Sequence, residues 1–455
     1  MDAAPLPSTR PSRSPLATAR RRSVLGAGLV LPALALGLAA CGDEGSAAQP
    51  DLRAEVDREA AGPAEEVAAA VLPFTARLLA AVDREAVNLV CSPLSAQIAL
   101  TMAALGAAGS TREQMEQVLG GDAETIAAAA NTLDQVLAAV GEEEREEDDP
   151  DAAEPAVASL ACATWAQEGF DAGQDYLDAL ARWFGSGVWT ADFTADGPRE
   201  KARTRINDWV EEETAGLIEE LVPQGMLTEA TRLVLVNTLH LKAAWPSPLT
   251  LEDGPFTLDG GEEVTTPMLH GDARGWYEDE LCTATALPTE GGDLGLALVR
   301  PAGTAQELLD AWAETADGAA DPTAEGLGAV LAGIRDSSDT VALTVPTIDL
   351  GWDGELVPVL QELGMDAPFT DDADFTGITS EEQLRITGVV QKAVITVDEE
   401  GMEAAAATAV SVGATSAPAE PKALVIDAPY VLVAFESSTG APLVVGRVGD
   451  PRATR

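Results

Sequence analysis

A run of small residues near the C-terminus, 397–418, constrains what this chain can fold into more than any other segment. It follows Leu384–Val397, which is rich in β-branched residues and is predicted to be a long strand. After the turn-forming Glu399-Glu400-Gly401, the residues have little apolar surface to bury but alternate as in a strand, with the even-numbered residues of 402–412 on one face. Small side chains on both faces suit a strand that enters between two existing strands. A flexible Ala/Ser/Gly-rich loop is the simpler interpretation of the composition.

Length and charge exclude several classes of partner. The chain has 455 residues, 46% of them hydrophobic, which is enough for one large domain or two ordinary ones. Its formal net charge is -49 at pH 7. Nucleic acids and anionic lipid surfaces are bound by basic proteins, so we expect neither as a partner. We interpret the negative charge as a solvated surface that keeps the protein soluble and identifies no ligand.

The first 40 residues have the pattern of an export signal. Arg20-Arg21-Arg22 resembles a twin-arginine motif, and the apolar stretch Val24–Ala40 follows it. The sequence that ends in Cys41 resembles a lipobox, whose cysteine is lipidated and becomes the mature N-terminus. A transmembrane anchor is the alternative, but an apolar stretch this short that contains Pro32 is poorly suited to span a bilayer. We therefore predict an exported, extracytoplasmic lipoprotein anchored to the membrane through Cys41.

Composition also suggests how the rest of the chain is divided. Residues 41–63 consist mainly of Gly, Ala, Pro and charged residues, so we predict a flexible linker there. A folded domain is expected over residues 64–455. Within it, residues 141–155 hold nine acidic side chains and one arginine. They are interpreted as a solvated surface insertion, with a calcium site or a site for a basic partner as the alternative.

The residues required for common catalytic and metal sites are scarce. The chain has only two histidines, His240 and His270, so we predict no histidine-based triad and no metal cluster. His240 lies in an apolar strand and is expected to be a hydrogen-bonded core residue. Cys91, Cys162 and Cys282 are an odd number with no Cys-x-x-Cys pair, and we expect them to be buried free thiols. Because no nucleophile-elbow, P-loop or zinc-protease motif occurs, we predict neither an enzyme nor a cofactor.

Several motifs spread over the chain resemble those of the serpins, a family of serine protease inhibitors. The resemblance covers nearly everything from about Ala64 to Pro451. Its most specific part extends from Ile206 to Trp245 without a gap. The motifs that carry it are Ser92-Pro93-Leu94-Ser95, Thr214-Ala215-Gly216, Leu235-Val236-Asn237-Thr238, Thr266-Pro267-Met268, Ala373-Asp374-Phe375, the hinge Val397-Asp398-Glu399-Glu400-Gly401, and the C-terminal Val445-Gly446-Arg447-Val448.

The resemblance implies a fold and a mechanism. The fold is α+β, with a large, mostly antiparallel central sheet, further smaller sheets, about eight or nine helices and an exposed reactive-centre loop at 399–421. The implied function is suicide-substrate inhibition of a serine protease by a monomer. The protease is trapped as an acyl-enzyme when the cut loop inserts into the sheet. A non-inhibitory serpin that acts as a binding or carrier module, and an unrelated surface lipoprotein, are the alternatives.

The resemblance also assigns roles to particular residues. Two positions depart from the family pattern. Met402 stands where inhibitory relatives usually carry Ser or Thr, and Gln391 stands where many relatives have histidine. Met402 is expected to face inward and to need a pocket. The implied hinge comprises Glu399, Glu400, Gly401, Met402, Glu403, Ala404, Ala405, Ala406 and Ala407. The implied gate, at which the sheet would open, comprises Ser92, Ser95, Asn237 and Gln391. Trp245 marks the upper end of this opening, which is called the breach.

The position of the scissile bond follows from counting along the loop as the family does. The count places it at Thr415–Ser416, with Ala414–Thr415 as the alternative because the following segment is about one residue short. No Lys or Arg occurs between residues 402 and 421, which argues against trypsin-like targets. Small residues before the bond favour an elastase-like or subtilisin-like serine protease, with a cysteine protease as a further candidate.

Overall fold

The computed structural model describes residues 50–141, 156–402 and 422–454. The predicted export signal, Cys41, most of the acidic insertion, the hinge from Glu403 onward and both candidate scissile bonds lie outside these ranges. Within the described ranges, no helix is both long enough and apolar enough to cross a membrane.

The described residues form nine α-helices and one 3-10 turn, which agrees with the predicted number of helices. The helices are α1 Glu65–Ala81, α2 Pro93–Ala104, α3 Gly109–Leu119, α4 Ala123–Ala138, α5 Gln174–Phe184, α6 Asp196–Glu213, α7 Ala305–Ala316, α8 Gly326–Asp336 and α9 Val357–Glu362, and the 3-10 turn is Ala367–Phe369.

Fifteen strands occur in the same ranges, and they belong to two sheets. They are β1 Asn88–Cys91, β2 Val157–Gln167, β3 Val188–Ala191, β4 Leu233–Ala244, β5 Thr250–Thr257, β6 Glu263–Glu278, β7 Cys282–Pro288, β8 Leu294–Pro301, β9 Thr340–Pro346, β10 Ile348–Glu355, β11 Val390–Val397, β12 Gly401–Met402, β13 Lys422–Val425, β14 Tyr430–Glu436 and β15 Pro442–Val448.

The central sheet has the strand order β10-β11-β12-β4-β2-β3, and only the β2–β3 pair is parallel. The other nine strands form one continuous sheet instead of several smaller ones. The reason is β6, whose first half pairs with β5 and β9 while its second half also pairs with β7. The α+β fold class and the mostly antiparallel central sheet are confirmed.

Local signals in the sequence explain where the main helices begin. Ser92 accepts a hydrogen bond from the backbone N–H of Ser95 at the start of α2, and Pro93 occupies the first helical position. Thr304 and Glu307 form a capping box at the start of α7. Helix α2 is buried on nearly all sides, as its uniformly apolar sequence predicts. It therefore lies inside the domain, behind the central sheet.

Helix α6 covers the other face of the central sheet and closes a second, smaller core. Ile206 and Val210 of α6 are completely buried there together with Val236 of β4. Trp165 and Trp189 stack with their ring centroids 5.4 Å apart, and the guanidinium of Arg205 lies 4.8 Å from the Trp165 ring. The sheet is thus sandwiched between helices α2 and α6.

Strand β4 is buried differently from the prediction. Its unbroken apolar run predicts burial on both faces, but burial alternates along the strand. Val234 and Val236 are buried against α6, whereas Leu235 and Leu239 on the other face are only half-buried. The prediction is right for one face only, because the other face borders an unfilled space in the sheet.

Strand β11 begins later than its β-branched pattern predicts. The predicted strand covers residues 384–397, but pairing starts at Val390. The preceding residues bond elsewhere: the N–H of Ile386 donates to the carbonyl of Pro368, and the N–H of Val389 donates to the Glu355 carboxylate. Since one of these partners lies in the 3-10 turn and the other at the end of β10, β-branching alone does not extend the sheet.

Residues 50–63 correct the prediction of a flexible linker. The backbone of Leu52 exchanges two hydrogen bonds with Val188 of β3, at 2.9 and 2.7 Å. The guanidinium of Arg58 donates to Asn131 (2.8 Å) and Asp134 (2.6 Å) of α4. The N–H of Gly62 donates to the Thr132 hydroxyl at 2.9 Å. Amino-acid composition does not predict this order, because the segment is held by polar contacts rather than by the burial of apolar side chains.

We expect Arg58→Ala to lower the free energy of unfolding by about 1–2 kcal/mol, because two charge-assisted hydrogen bonds to α4 are lost in a partly solvated site. Thermal or denaturant unfolding of the uncut protein measures the effect. Arg182→Ala removes an exposed guanidinium from the neighbouring helix and is the matched control, expected to change stability by less than about 0.5 kcal/mol. Equal effects of the two substitutions would mean that residues 50–63 contribute nothing.

Candidate functional site

The start of the predicted hinge lies inside the central sheet. Gly401 and Met402 form β12, which pairs with Val397 of β11 on one side and with Ala243 and Ala244 of β4 on the other. A Cβ atom at Gly401 would come within 2.4 Å of the Ala243 carbonyl oxygen. Only glycine fits at this close backbone approach.

Met402 has the inward-facing pocket that the sequence analysis requires. Its side chain is 2% exposed and belongs to the main core. The two residues it pairs with, Val397 and Ala243, are buried as well. The thioether is flexible enough to fill an irregular apolar space. Methionine in place of Ser or Thr is therefore accommodated at this position.

Beyond Met402 the central sheet contains an unfilled space. Among the described residues, no pairing joins β4 to β11, and a cavity of about 140 Å³ lies between these strands and helix α2. One wall is the half-buried face of β4. Residues that line the cavity include Ala96, Leu100, Leu235, Leu239, Ala393 and Ile395.

Three of the four predicted gate residues are in direct contact. The Gln391 amide donates to the Ser92 carbonyl at 2.6 Å, and its oxygen accepts from the Ser92 N–H at 3.1 Å. The Ser92 hydroxyl donates to the Leu443 carbonyl at 2.7 Å and lies 3.0 Å from the Ser95 hydroxyl. These contacts tie β11 to the start of α2 and to β15. Glutamine thus donates and accepts here without a titratable group.

Asn237, the fourth predicted gate residue, lines the same cavity but bonds elsewhere. Its amide donates to the Ala161 carbonyl at 3.3 Å and to the Cys162 sulfur at 2.9 Å, both on β2. Its Oδ1 atom is buried and has no hydrogen-bond partner among the described residues. The structure therefore groups Ser92, Ser95 and Gln391, and places Asn237 across the space from them.

The cysteines near the site are not reactive groups. Cys91, Cys162 and Cys282 are free thiols, as predicted, although Cys162 is only partly buried as a residue. Burial raises the pKa of the Cys162 thiol to about 12, an effect that the Asn237 amide partly opposes. Burial likewise raises the pKa of Cys91 to about 12. Since the thiolate is the nucleophilic form, neither cysteine supports covalent chemistry near neutral pH.

Trp245 fixes the turn that leads into β12. Its indole N–H donates to the Asp398 carbonyl at 2.9 Å, and its backbone N–H donates to the Glu400 carbonyl at 2.9 Å. The side chain is 4% exposed. Trp245, the residue predicted to mark the breach, thus contacts the turn immediately before Gly401.

Sequence reasoning did not single out Asp398. Its carboxylate accepts hydrogen bonds from the backbone N–H groups of Glu400 (2.9 Å) and Gly401 (3.0 Å). A signal for this role is present in the sequence, because an aspartate at the start of a turn often accepts hydrogen bonds from backbone N–H groups two and three residues ahead.

Comparison with known proteins identifies the family. The sequence matches the family model for serpin (serine protease inhibitor) over residues 69–451. The chain belongs to the serpin family. It is not an enzyme, and several of its relatives are named as inhibitors.

Individual relatives are similar over most of their length. A serpin-like protein of Thermococcus kodakarensis is 31% identical, with 80% of this chain and 81% of the relative covered. The leukocyte elastase inhibitor of Bos taurus is 29% identical, with coverage of 80% and 93%. Native tengpin, a thermophilic serpin, superposes with a TM-score of 0.72 at 22% identity, covering 88% of this chain and 97% of tengpin.

We expect Gln391→Ala to lower the free energy of unfolding by about 2–3 kcal/mol, because it removes the side-chain partner of the buried Ser92 N–H. Denaturant unfolding of the uncut protein measures this. Gln361→Ala, at an exposed position of α9, is the matched control and should change stability by less than about 0.5 kcal/mol. An unchanged Gln391→Ala protein would show that the contact with Ser92 is not stabilising.

Proposed function

We propose that this serpin inhibits a serine-type endopeptidase as a suicide substrate, by inserting its cut reactive-centre loop into the central sheet. The observation that carries the proposal is the position of β12. Gly401 and Met402 already lie between β11 and β4, and no described residue fills the space beyond them. An incoming strand would find a backbone partner on each side.

The register of β12 indicates how much of the loop the space can accept. Met402 pairs with Val397 and Ala243, and antiparallel pairing continues one residue at a time. Extended in this register, residues 403–409 would face β11 down to Val390, and residues 403–412 would face β4 down to Leu233. Thr408 would then lie between Asn237 and Gln391. The small side chains of residues 404–407 support the proposal, because they present little obstruction.

The energy available from insertion is comparable to the stability of a protease domain. Residues 403–409, bonded to a strand on each side at about 0.5–1 kcal/mol net per bond, would contribute on the order of 10 kcal/mol. A protease domain is stable by only about 5–15 kcal/mol. Filling the cavity with apolar side chains adds to the gain. Insertion is therefore strong enough to distort a protease attached to the loop.

We further propose an elastase-like or subtilisin-like target and a scissile bond at Thr415–Ser416, with Ala414–Thr415 as the alternative. The small residues before the bond and the lack of Lys and Arg in 402–421 support this specificity. A relative named leukocyte elastase inhibitor is consistent with it. The proposal also includes export, a lipid anchor at Cys41 and a monomeric inhibitor, as the N-terminal sequence and the family suggest.

Mixing the protein with elastase and with subtilisin tests the mechanism. We expect a covalent complex that survives a denaturing gel, and a released C-terminal peptide that begins at Ser416 by mass. Ala406→Arg should convert the inhibitor into a substrate that is cut without a complex, because a charged side chain cannot enter the apolar space. Ala419→Arg, on the other side of the bond, is the matched control and should still form the complex. Cleavage of the wild-type protein without a complex would favour a non-inhibitory binding module.

Replacing the residue before the scissile bond tests the specificity. We expect Thr415→Arg to form a complex with trypsin at least about 100-fold faster than the wild-type protein, because trypsin-like pockets bind a basic side chain. Ala414→Arg is the matched variant, and a more efficient complex with Ala414→Arg would move the bond to Ala414–Thr415. Rapid inhibition of trypsin by the wild-type protein, with none of elastase or subtilisin, would contradict the proposed target class.

A further inference from the structure

The turn between β11 and β12 is bonded internally by one side chain. The N–H of Asp398 donates to the Gly401 carbonyl at 3.1 Å and closes the turn. Its carboxylate oxygen Oδ1 accepts from the N–H groups of Glu400 and Gly401, at 2.9 and 3.0 Å. Aspartate has the right length for this arrangement, since its carboxylate reaches the N–H groups two and three residues ahead. Asp398 therefore stabilises the 398–401 turn through hydrogen bonds within the turn itself.

The same turn is bonded from the outside by the segment that follows β4. Three successive carbonyls accept hydrogen bonds: that of Asp398 from the Trp245 indole, that of Glu399 from the Leu249 N–H at 2.8 Å, and that of Glu400 from the Trp245 N–H. Carbonyls that point outward to these donors leave the N–H groups of Glu400 and Gly401 pointing inward. Without the Asp398 carboxylate, these inward N–H groups would lose the acceptor that fixes them.

This arrangement matters for the start of insertion. Fixing the backbone of one residue costs about 1–2 kcal/mol of conformational entropy, and the first residues of a new strand gain few bonds in return. Because Met402 is already paired with β11 and β4, and Gly401 with β4, that initial cost has been met before the loop is cut. Each later residue then adds to an existing strand.

We propose that Asp398 is a positioning residue for loop insertion, which acts by holding the 398–401 turn so that β12 is in place to begin the new strand. The inference deepens the proposed function and rests on it. Asp398 touches no protease and no scissile bond. It acts through the backbone of Glu400 and Gly401, and its contribution depends on a hydrogen-bond acceptor at this position rather than on a negative charge.

The experiment compares Asp398→Ala with Asp398→Asn, since the asparagine oxygen can still accept both N–H groups. The loop is cut by a protease that is then inactivated, and insertion is followed as the rate at which the cut protein becomes resistant to heat. We expect Asp398→Ala to slow insertion about tenfold and Asp398→Asn to restore at least half of the wild-type rate. Asp353→Ala, an exposed aspartate on β10, is the matched control and should insert at the wild-type rate.

Hydrogen exchange of the uncut proteins provides a readout without insertion. We expect the amides of residues 400 and 401 to exchange at least about tenfold faster in Asp398→Ala than in the wild type, with protection retained in Asp398→Asn. Insertion of Asp398→Ala at the wild-type rate would overturn the inference, whatever the exchange result. Equal slowing of insertion by Asp398→Ala and Asp398→Asn would overturn the inference that Asp398 acts as a hydrogen-bond acceptor.

The outcomes separate this inference from the proposed function. A cut wild-type protein that inserts rapidly but traps no protease would contradict inhibition, and slower insertion of Asp398→Ala would still support the role of Asp398. Conversely, if Asp398→Ala traps protease and inserts its loop at the wild-type rate, the proposed inhibition stands and the positioning role of Asp398 is overturned. A cut wild-type protein that never gains heat resistance would overturn both.

Discussion

The backbone pairing of Gly401 and Met402 with two strands at once is the constraint on which the rest of the central sheet depends. It keeps β4 and β11 one strand width apart at the upper end, so the strands below cannot close on each other without expelling β12. The cavity beside α2 follows from that separation. A sheet held open in this way is less stable than a filled one, because among the described residues no strand pairs β4 with β11 below β12 and the cavity between them lacks packing atoms.

The contacts at the lower end hold the two sides of the opening independently of each other. Gln391 ties β11 to the backbone of Ser92, and Ser92 in turn bonds to Leu443 in the other sheet. Asn237 is bonded to β2 on the far side of the space. The two sides of the opening therefore have separate hydrogen-bond partners. An entering strand would separate Gln391 from Asn237 without first breaking a bond between them.

Much of this arrangement could be predicted from the sequence, and the exceptions have physical reasons. Capping at Ser92, the buried helix α2 and the glycine at 401 follow from local signals and family motifs. The alternating burial of β4 could not be predicted, because an apolar run does not show which face borders a cavity. The ordered contacts of residues 50–63 were missed because they are polar and involve partners seventy or more positions away, such as Asn131. Asp398 was missed because its role depends on the carbonyls of the turn pointing to Trp245.

The two outer edges of the central sheet are not left bare. At one edge, Leu52 pairs with Val188 of β3, and at the other, Thr454 pairs with Asp349 of β10. Unpaired sheet edges attract strands from other molecules and promote aggregation. The bridges at Leu52 and Thr454 each occupy part of an outer edge of the central sheet, and they reduce the length of edge that is open to a strand from another molecule.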